Sequence, residues 1–326
     1  MLPRSRVVSV LLIMLGCVLL AAGFFAPRFI PTDGRMPLNI PTTTLSLYDE
    51  NAESTPLVGE HKETIKQPVK KQFHAQVVPP HDDKMVTLRV GTTTGRTSEN
   101  GDGSAEDEIK DLITARVWLV PIDRVTAQAT GPARVTDQLA GDPAEVDMEG
   151  QWIKFPVGTE KQDYQVFDDV IRRAETARFV EETEIAGTKV YRFQQVIDKV
   201  NVAQAYPNQV FKRTAKHNGK DERQFLFHTV TRDWYVEPRT GLVASVHEDL
   251  HEYWGNEQGD ERGILLRFNG QVSDEDSRKI LDAAAKVKDP KIVRISSIVL
   301  LTLGAILALI GLIGAFRPGR KQATTA

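Results

Sequence analysis

The sequence predicts a mainly β domain with minor helix (β-rich, α+β), extracytoplasmic and flanked by two transmembrane helices, with a juxtamembrane helix before the second span. Three observations predict this. Two uncharged apolar runs stand near the ends, at 7–25 and 295–316. Between them lie many short runs rich in β-branched and aromatic residues, separated by turn residues. A single capped, amphipathic stretch leads into the second apolar run.

Residues 1–6 form a basic tail with Arg4 and Arg6. The run 7–25, VVSVLLIMLGCVLLAAGFF, is about as long as the roughly 20 residues a helix needs to cross a hydrocarbon core. A secretory signal also begins with basic residues, but its apolar core is shorter, roughly 7–15 residues. Length therefore favours a retained span. The second run, 295–316, ends in a tail, 317–326, with Arg317, Arg320 and Lys321. Neither tail carries an acid, so both termini are expected to be cytoplasmic and residues 26–272 extracytoplasmic at the cell membrane.

Within 26–272, strands are expected at 42–48, 72–78, 84–94, 115–122, 187–197, 223–231 and 263–272. Loops are expected at 97–108, which is acidic and Gly-rich, and at 130–143. One short helix is expected near 168–177. The juxtamembrane helix, 273–289, opens with a capping box, Ser273 and Asp276. Acids fill its first turn and lysines its last, which suits the helix dipole. Ile280, Ala284 and Val287 would give it an apolar stripe for docking. In the second span, Gly304, Ala308, Gly311 and Gly314 offer a small surface against which the first span can pack.

The chain has 41 basic and 44 acidic residues. Setting aside the five basic tail residues leaves 36 against 44 outside, an acidic balance that excludes a nucleic-acid footprint. The only cysteine, Cys17, lies in the first span, so the domain must build its core without disulfides.

One motif raises chemistry. His247-Glu248-Asp249-Leu250-His251 fits H-E-x-x-H, in which a helix sets two zinc-binding histidines on one face beside a glutamate base. Three features oppose a zinc peptidase. The extended motif fails, with Trp254 where a glycine belongs, and Glu275, a downstream third ligand by distance, sits in a helix cap. Asp249 puts an extra carboxylate between the ligands. The flanks also read as hairpins, with the turn Glu237-Pro238-Arg239-Thr240-Gly241 on one side. In a strand, His247 and His251 share one face and Glu248 points to the other, so His247 and His251 remain only weak metal candidates. Leu242, Ala244, Val246, Leu250 and Trp254 then form an apolar face that Glu248 and Glu252 interrupt. No P-loop, G-x-S-x-G or G-x-G-x-x-G occurs, and the expectation is no enzyme, no catalytic residue and no cofactor.

Three phrases, WIKFPVGTEKQDYQVFDD (152–169), ETEIAGTKVYRFQQVI (182–197) and WYVEPRTGLVASVHEDLHEYW (234–254), framed by two spans, resemble the actinobacterial porin PorA family. The resemblance covers nearly the whole chain and implies a cell-envelope protein, with no catalytic residue to carry over. A membrane β-barrel needs an outward apolar band on its strands. Here two helices span and the β-rich part is charged throughout, so a pore would come from oligomerised spans, whose polar residues are Ser9, Ser296, Ser297 and Thr302. The architecture is also similar to the scavenger-receptor CD36 group, which implies by analogy a lipid-binding interior. The expected partners are membrane lipids, a lipid or glycolipid ligand, another envelope protein or further copies of the chain. Binding or transfer of an envelope lipid through an apolar hollow is the leading expectation, or scaffolding of another envelope protein. A porin-like channel component is the alternative, and a zinc metallopeptidase a disfavoured third.

Overall fold

The computed structural model describes residues 4–30, 32, 34–38, 43–55, 63–97, 111–137, 142–206 and 210–316. The chain divides into two compact units, Gly34–Ala284 and the paired ends, Met1–Asp33 with Ala285–Ala326. The expected loop at 97–108 falls, beyond residue 97, outside the described residues, as does the tail 317–326.

The larger unit is one antiparallel sheet. Its strands are β1 (Thr43–Asp49), β2 (Glu53–Ser54), β3 (Ile65–Lys66), β4 (Val69–His81), β5 (Met85–Arg96), β6 (Leu112–Asp123), β7 (Ala133–Thr136) and β8 (Ala144–Val146). They continue as β9 (Tyr164–Asp168), β10 (Arg173–Ile185), β11 (Thr188–Asn201), β12 (Lys212–His217), β13 (Lys220–Glu237), β14 (Leu242–Gly255) and β15 (Glu261–Val272). Hydrogen bonding orders them β8-β7-β6-β5-β4-β1-β15-β14-β13-β11-β10-β9, with β12 on β13 and β2 between β15 and β3. The sheet curls until its ends meet. Trp118 of β6 lies edge-on to Phe167 of β9, 5.8 Å between centroids, with Trp152 against both. A second aromatic group, Phe155 stacked on Phe193 at 5.1 Å and leaning on Trp234, fills the larger apolar cluster.

All seven expected strands form, most of them longer than expected. Two expectations fail. The stretch 168–177, expected as a helix, is the end of β9, a tight turn and the start of β10. Asp168 Oδ1 accepts from the backbone N–H groups of Val170 and Ile171, both at 2.9 Å, and Arg172 takes a left-handed φ of 53°. An aspartate that satisfies local N–H groups in this way competes with helix formation. The loop at 130–143 contains β7, because Ala133 and Val135 bury against Trp118 and the neighbouring cluster while Arg134 and Thr136 face outward.

The turn before β14 forms as its residues dictate. Glu237 Oε2 accepts from Thr240 N at 2.9 Å, and Gly241 has φ +73°. A Cβ there would stand 2.1 Å from the Phe155 carbonyl oxygen, so only glycine fits.

Helix α1 (Arg4–Phe29) belongs to the terminal unit, α2 (Asp274–Lys286) follows β15, and α3 (Pro290–Phe316) ends the described chain. Ser273 Oγ caps α2 by accepting from Asp276 N at 3.1 Å. The helix docks through Ser277, Leu281 and Ala284, with Leu281 packed beside Val190 and Ala244. Ala284 is buried as expected, while Ser277 and Leu281 take the buried places beside it and Ile280 and Val287 are half-buried. Arg239 from the β13–β14 turn donates to the Ala284 carbonyl at 3.0 Å and satisfies the end of the helix.

Both α1 and α3 are long and apolar enough to cross a membrane. They pair antiparallel through small residues at every seventh position, Ser9, Gly16 and Gly23 against Gly311, Gly304 and Ser297. A Cβ on Gly16 would stand 2.7 Å from the Gly304 carbonyl oxygen, and one on Gly311 the same distance from that of Ser9. Small residues let two apolar helices touch backbone to backbone, where dispersion replaces the missing hydrophobic drive. Met14, Phe24, Leu303 and Ile306 face outward.

Candidate functional site

Residues 242–255 are a strand, which separates the parts of the H-E-x-x-H pattern. Alternation sends His247, Asp249 and His251 to the outer face and Glu248 inward. Residues four apart on a strand are about 13 Å apart, whereas two ligands of one zinc ion lie within about 4 Å of each other. His247 Nε2 is instead 2.9 Å from Asn269 Oδ1. His251 Nε2 is 3.4 Å from Glu261 Oε2, and its ring leans on Tyr253 at 4.9 Å. Partial burial pushes the His251 imidazole pKa down. Glu275 is exposed and pairs with Lys279 at 2.8 Å. Among the described residues, no three His, Cys, Asp or Glu side chains are grouped to hold a metal ion.

Glu248 and Glu252, which interrupt the apolar face of the strand, are the centre of the larger unit. Glu248 is 2% exposed and accepts from Lys71 Nζ at 2.6 Å and Arg232 Nε at 2.5 Å. Arg232 Nη1 donates to Asp168 Oδ2 at 2.6 Å and to Gln195 Oε1 at 3.3 Å. Asp168 Oδ2 also lies 3.5 Å from His228 Nε2, a charge contact without a formed hydrogen bond. His228 Nδ1 is 2.9 Å from Glu252 Oε1. Beyond Glu252 come Arg116 and Asp169, 3.5 Å apart and also buried.

These eight side chains alternate in sign: Lys71, Glu248, Arg232, Asp168, His228, Glu252, Arg116, Asp169. They come from β4, β6, β9, β13, β14 and the β9–β10 turn, so the chain of charges ties distant strands of the curled sheet together. Burial raises the Glu248 carboxyl, but Lys71 and Arg232 overcome this and hold it at about 2. Burial lowers His228, but Asp168 and Glu252 hold it up at about 9, so the imidazole is protonated at neutral pH. Asp168, despite its burial, is kept well below the usual carboxylate range by Arg232 and His228. Burial would also raise Glu252, and its bond to His228 keeps it low. Four positive groups then face four negative ones. Isolated buried charges are costly, and neutrality with close pairing is what makes this interior tenable.

Such a site orders the fold and holds no reactive group open to a substrate. The leading expectation requires an apolar hollow, and the middle of the curled sheet contains ion pairs, with Trp118, Phe155, Phe167, Phe193 and Phe268 each under 2% exposed. The polar residues of the two spans lie in the helix contact or bond to their own helix. Ser9 and Ser297 are buried in the α1–α3 contact. Ser296 and Thr302 donate their hydroxyls to carbonyls of their own helix, those of Val293 and Ile298, both at 2.9 Å.

The ionic chain was legible in part. The Glu237–Gly241 turn sets β13 against β14, and in that register His228 faces Glu252 and Arg232 faces Glu248. Opposite charges four residues apart on two apolar faces, matched across a hairpin, are the signal. Lys71, Arg116 and Asp168 arrive from strands remote in sequence and left no local trace.

The family model described as Porin PorA matches residues 8–313. A protein named Porin PorA from Corynebacterium resistens (strain DSM 45100 / JCM 12819 / GTC 2026 / SICGH 158) is 26% identical over 333 aligned residues, covering 78% of each chain. A second Porin PorA, from Corynebacterium amycolatum, is 23% identical over 232 residues, 62% of this chain and 58% of that relative.

Proposed function

The chain belongs to the porin PorA family, and on that premise we propose a porin-type role in the cell envelope, exerted by several copies assembled through their α1–α3 pairs. The observation that carries this reading is the reach of the family match, which includes both apolar helices and the whole sheet between them. The chain's own geometry supports assembly over a single-chain pore. Ion pairs and aromatic rings fill the middle of the curled sheet. The two helices of one chain meet at backbone distance, which leaves no room for water between them. A path then has to form between chains, where apolar outward faces such as those of Met14 and Ile306 meet. Hydrophobic constrictions of this kind gate by wetting and dewetting.

In this reading α1 and α3 both cross the membrane. The basic tails favour the cytoplasmic side for both ends and the outer side for the sheet. The charged interior gives lipid carriage no support, because an apolar cargo needs an apolar lining. The test is conductance of the full-length chain in planar bilayers. Steps are expected from the intact chain and their loss when either helix is replaced by a single-span polyleucine segment. Absence of steps at any protein concentration would remove the porin-type reading.

A further inference from the structure

The terminal unit carries a hollow beside its helix contact. A groove of roughly 410 Å³ lies where the start of α1 runs along the end of α3, lined by Arg6, Val7, Val10, Leu11 and Ala315. Val7, Val10 and Leu11 recur at helical spacing, so they share one face of α1, and each is about half exposed. The hollow follows from the contact next to it. Gly311 and Gly314 draw α3 onto Ser9, and Ala315, one turn on from Gly311, adds only a methyl group. An aliphatic wall of this kind takes an apolar chain as its cover.

Arg6 says what the other end of the covering molecule carries. It is exposed at the rim of an otherwise aliphatic groove. No Asp or Glu occurs in 1–32 or 290–326. The nearest in sequence, Asp33 and Asp289, stand at the opposite ends of α1 and α3, roughly 35 Å of helix away. The guanidinium therefore has no Asp or Glu of its own unit within reach. The same end of the chain carries Arg4, Arg317, Arg320 and Lys321. Five basic side chains and no acidic one leave a positive charge that an outside anion balances. An arginine near the end of a span lays its aliphatic stem along apolar surface and lifts its guanidinium to the headgroup level. Its planar fork matches two oxygens of a phosphate.

We propose that this groove binds one phospholipid of net negative charge, with its phosphate on Arg6 and an acyl chain against Val7, Val10, Leu11 and Ala315. A zwitterionic lipid offers the same chain and the same phosphate but brings its own cation, so it leaves the positive charge of this end uncompensated. The proposal rests on α1 and α3 crossing the membrane, as in the porin-type reading, and not on conductance.

The experiment is native mass spectrometry of the full-length chain in detergent supplied with equal amounts of dioleoyl phosphatidylglycerol and dioleoyl phosphatidylcholine, which share their acyl chains. Phosphatidylglycerol adducts are expected to exceed phosphatidylcholine adducts by roughly fivefold, the worth of one basic residue at an anionic headgroup. Arg6→Gln should bring that ratio close to one. Val10→Trp, which fills the hollow and leaves the charge, should lower the adducts of both lipids. Arg28→Gln removes a charge at the far end of α1, outside the groove, and should keep the parent's ratio. Equal adducts in the parent, a preference that survives Arg6→Gln, binding untouched by Val10→Trp, or a loss as large in Arg28→Gln would each overturn the proposal. A chain that prefers phosphatidylglycerol but gives no conductance steps fails the porin-type reading alone. One that conducts without any lipid preference fails this proposal alone.

Discussion

Replacing Glu248 by glutamine tests the ionic interior with almost no change of shape. The carboxylate is fully enclosed and accepts from both Lys71 and Arg232. It is held at about 2 against an ordinary 4.5. Each tenfold change in a proton equilibrium is about 1.4 kcal/mol, so the ionised form is favoured by about 3 kcal/mol in the folded chain. Glu248→Gln loses that interaction and leaves two buried cations with half their counter-charge, and breaking a buried pair costs about 3–5 kcal/mol. For a domain of this size, 1 kcal/mol corresponds to about 2–4 °C in Tm, so a fall of roughly 6–20 °C is expected. Near-UV circular dichroism of the full-length chain in detergent reads it directly, through the Trp118–Trp152–Phe167 group. His247→Ala, on the outer face, is the control and is expected to stay within about 0.5 kcal/mol of the parent. A Glu248→Gln variant as stable as that control would refute the ionic interior. So would a His247→Ala variant that falls as far.

Further expectations follow from the same geometry. Because His228 is held up at about 9, the stability it contributes is complete below about pH 6.5 and is lost as pH rises through about 9. Glu248 gives the opposite flank, complete above about 4.5 and lost as pH falls towards about 2. Unfolding midpoints measured from pH 5 to 10 should therefore drop on the alkaline side in the parent and much less in His228→Gln; equal slopes would contradict this. In the terminal unit, a Cβ on Gly314 would lie 3.6 Å from that of Ser9, within the roughly 3.5–4.5 Å of a disulfide. The paired change Ser9→Cys with Gly314→Cys, in a Cys17→Ser background, should cross-link on oxidation and shift on a non-reducing gel; a chain that stays uncross-linked would count against the α1–α3 register. Elemental analysis of the purified chain should give far less than one zinc per molecule, unchanged by His247→Ala with His251→Ala. Stoichiometric zinc that the pair removes would restore the metal reading.

Much of the fold was written locally. Apolar length marked α1 and α3, alternation marked the seven expected strands, and Ser273 with Asp276 marked the start of α2. The hairpin reading of residues 242–254 followed from Pro238 and Gly241, and the strand that forms there explains why five matching letters carry no zinc chemistry. The rest depended on partners far along the chain. The turn at Asp168 resembles a helix start until its side chain is seen to satisfy Val170 and Ile171. Glu248 looks like a defect in an apolar face until Lys71 arrives from β4. The spacing of Ser9, Gly16 and Gly23, and of Ser297, Gly304 and Gly311, was visible throughout, but only the facing helix gives a seven-residue period of small side chains its meaning.

The most direct test of the assembly account is native mass spectrometry of the intact chain, taken from the same detergent fraction that is assayed in planar bilayers. Conductance is expected to travel with a species of several copies and to be absent from the monomer. A monomer that conducts would contradict it, because one chain has a filled sheet and two helices in backbone contact, with no path through either.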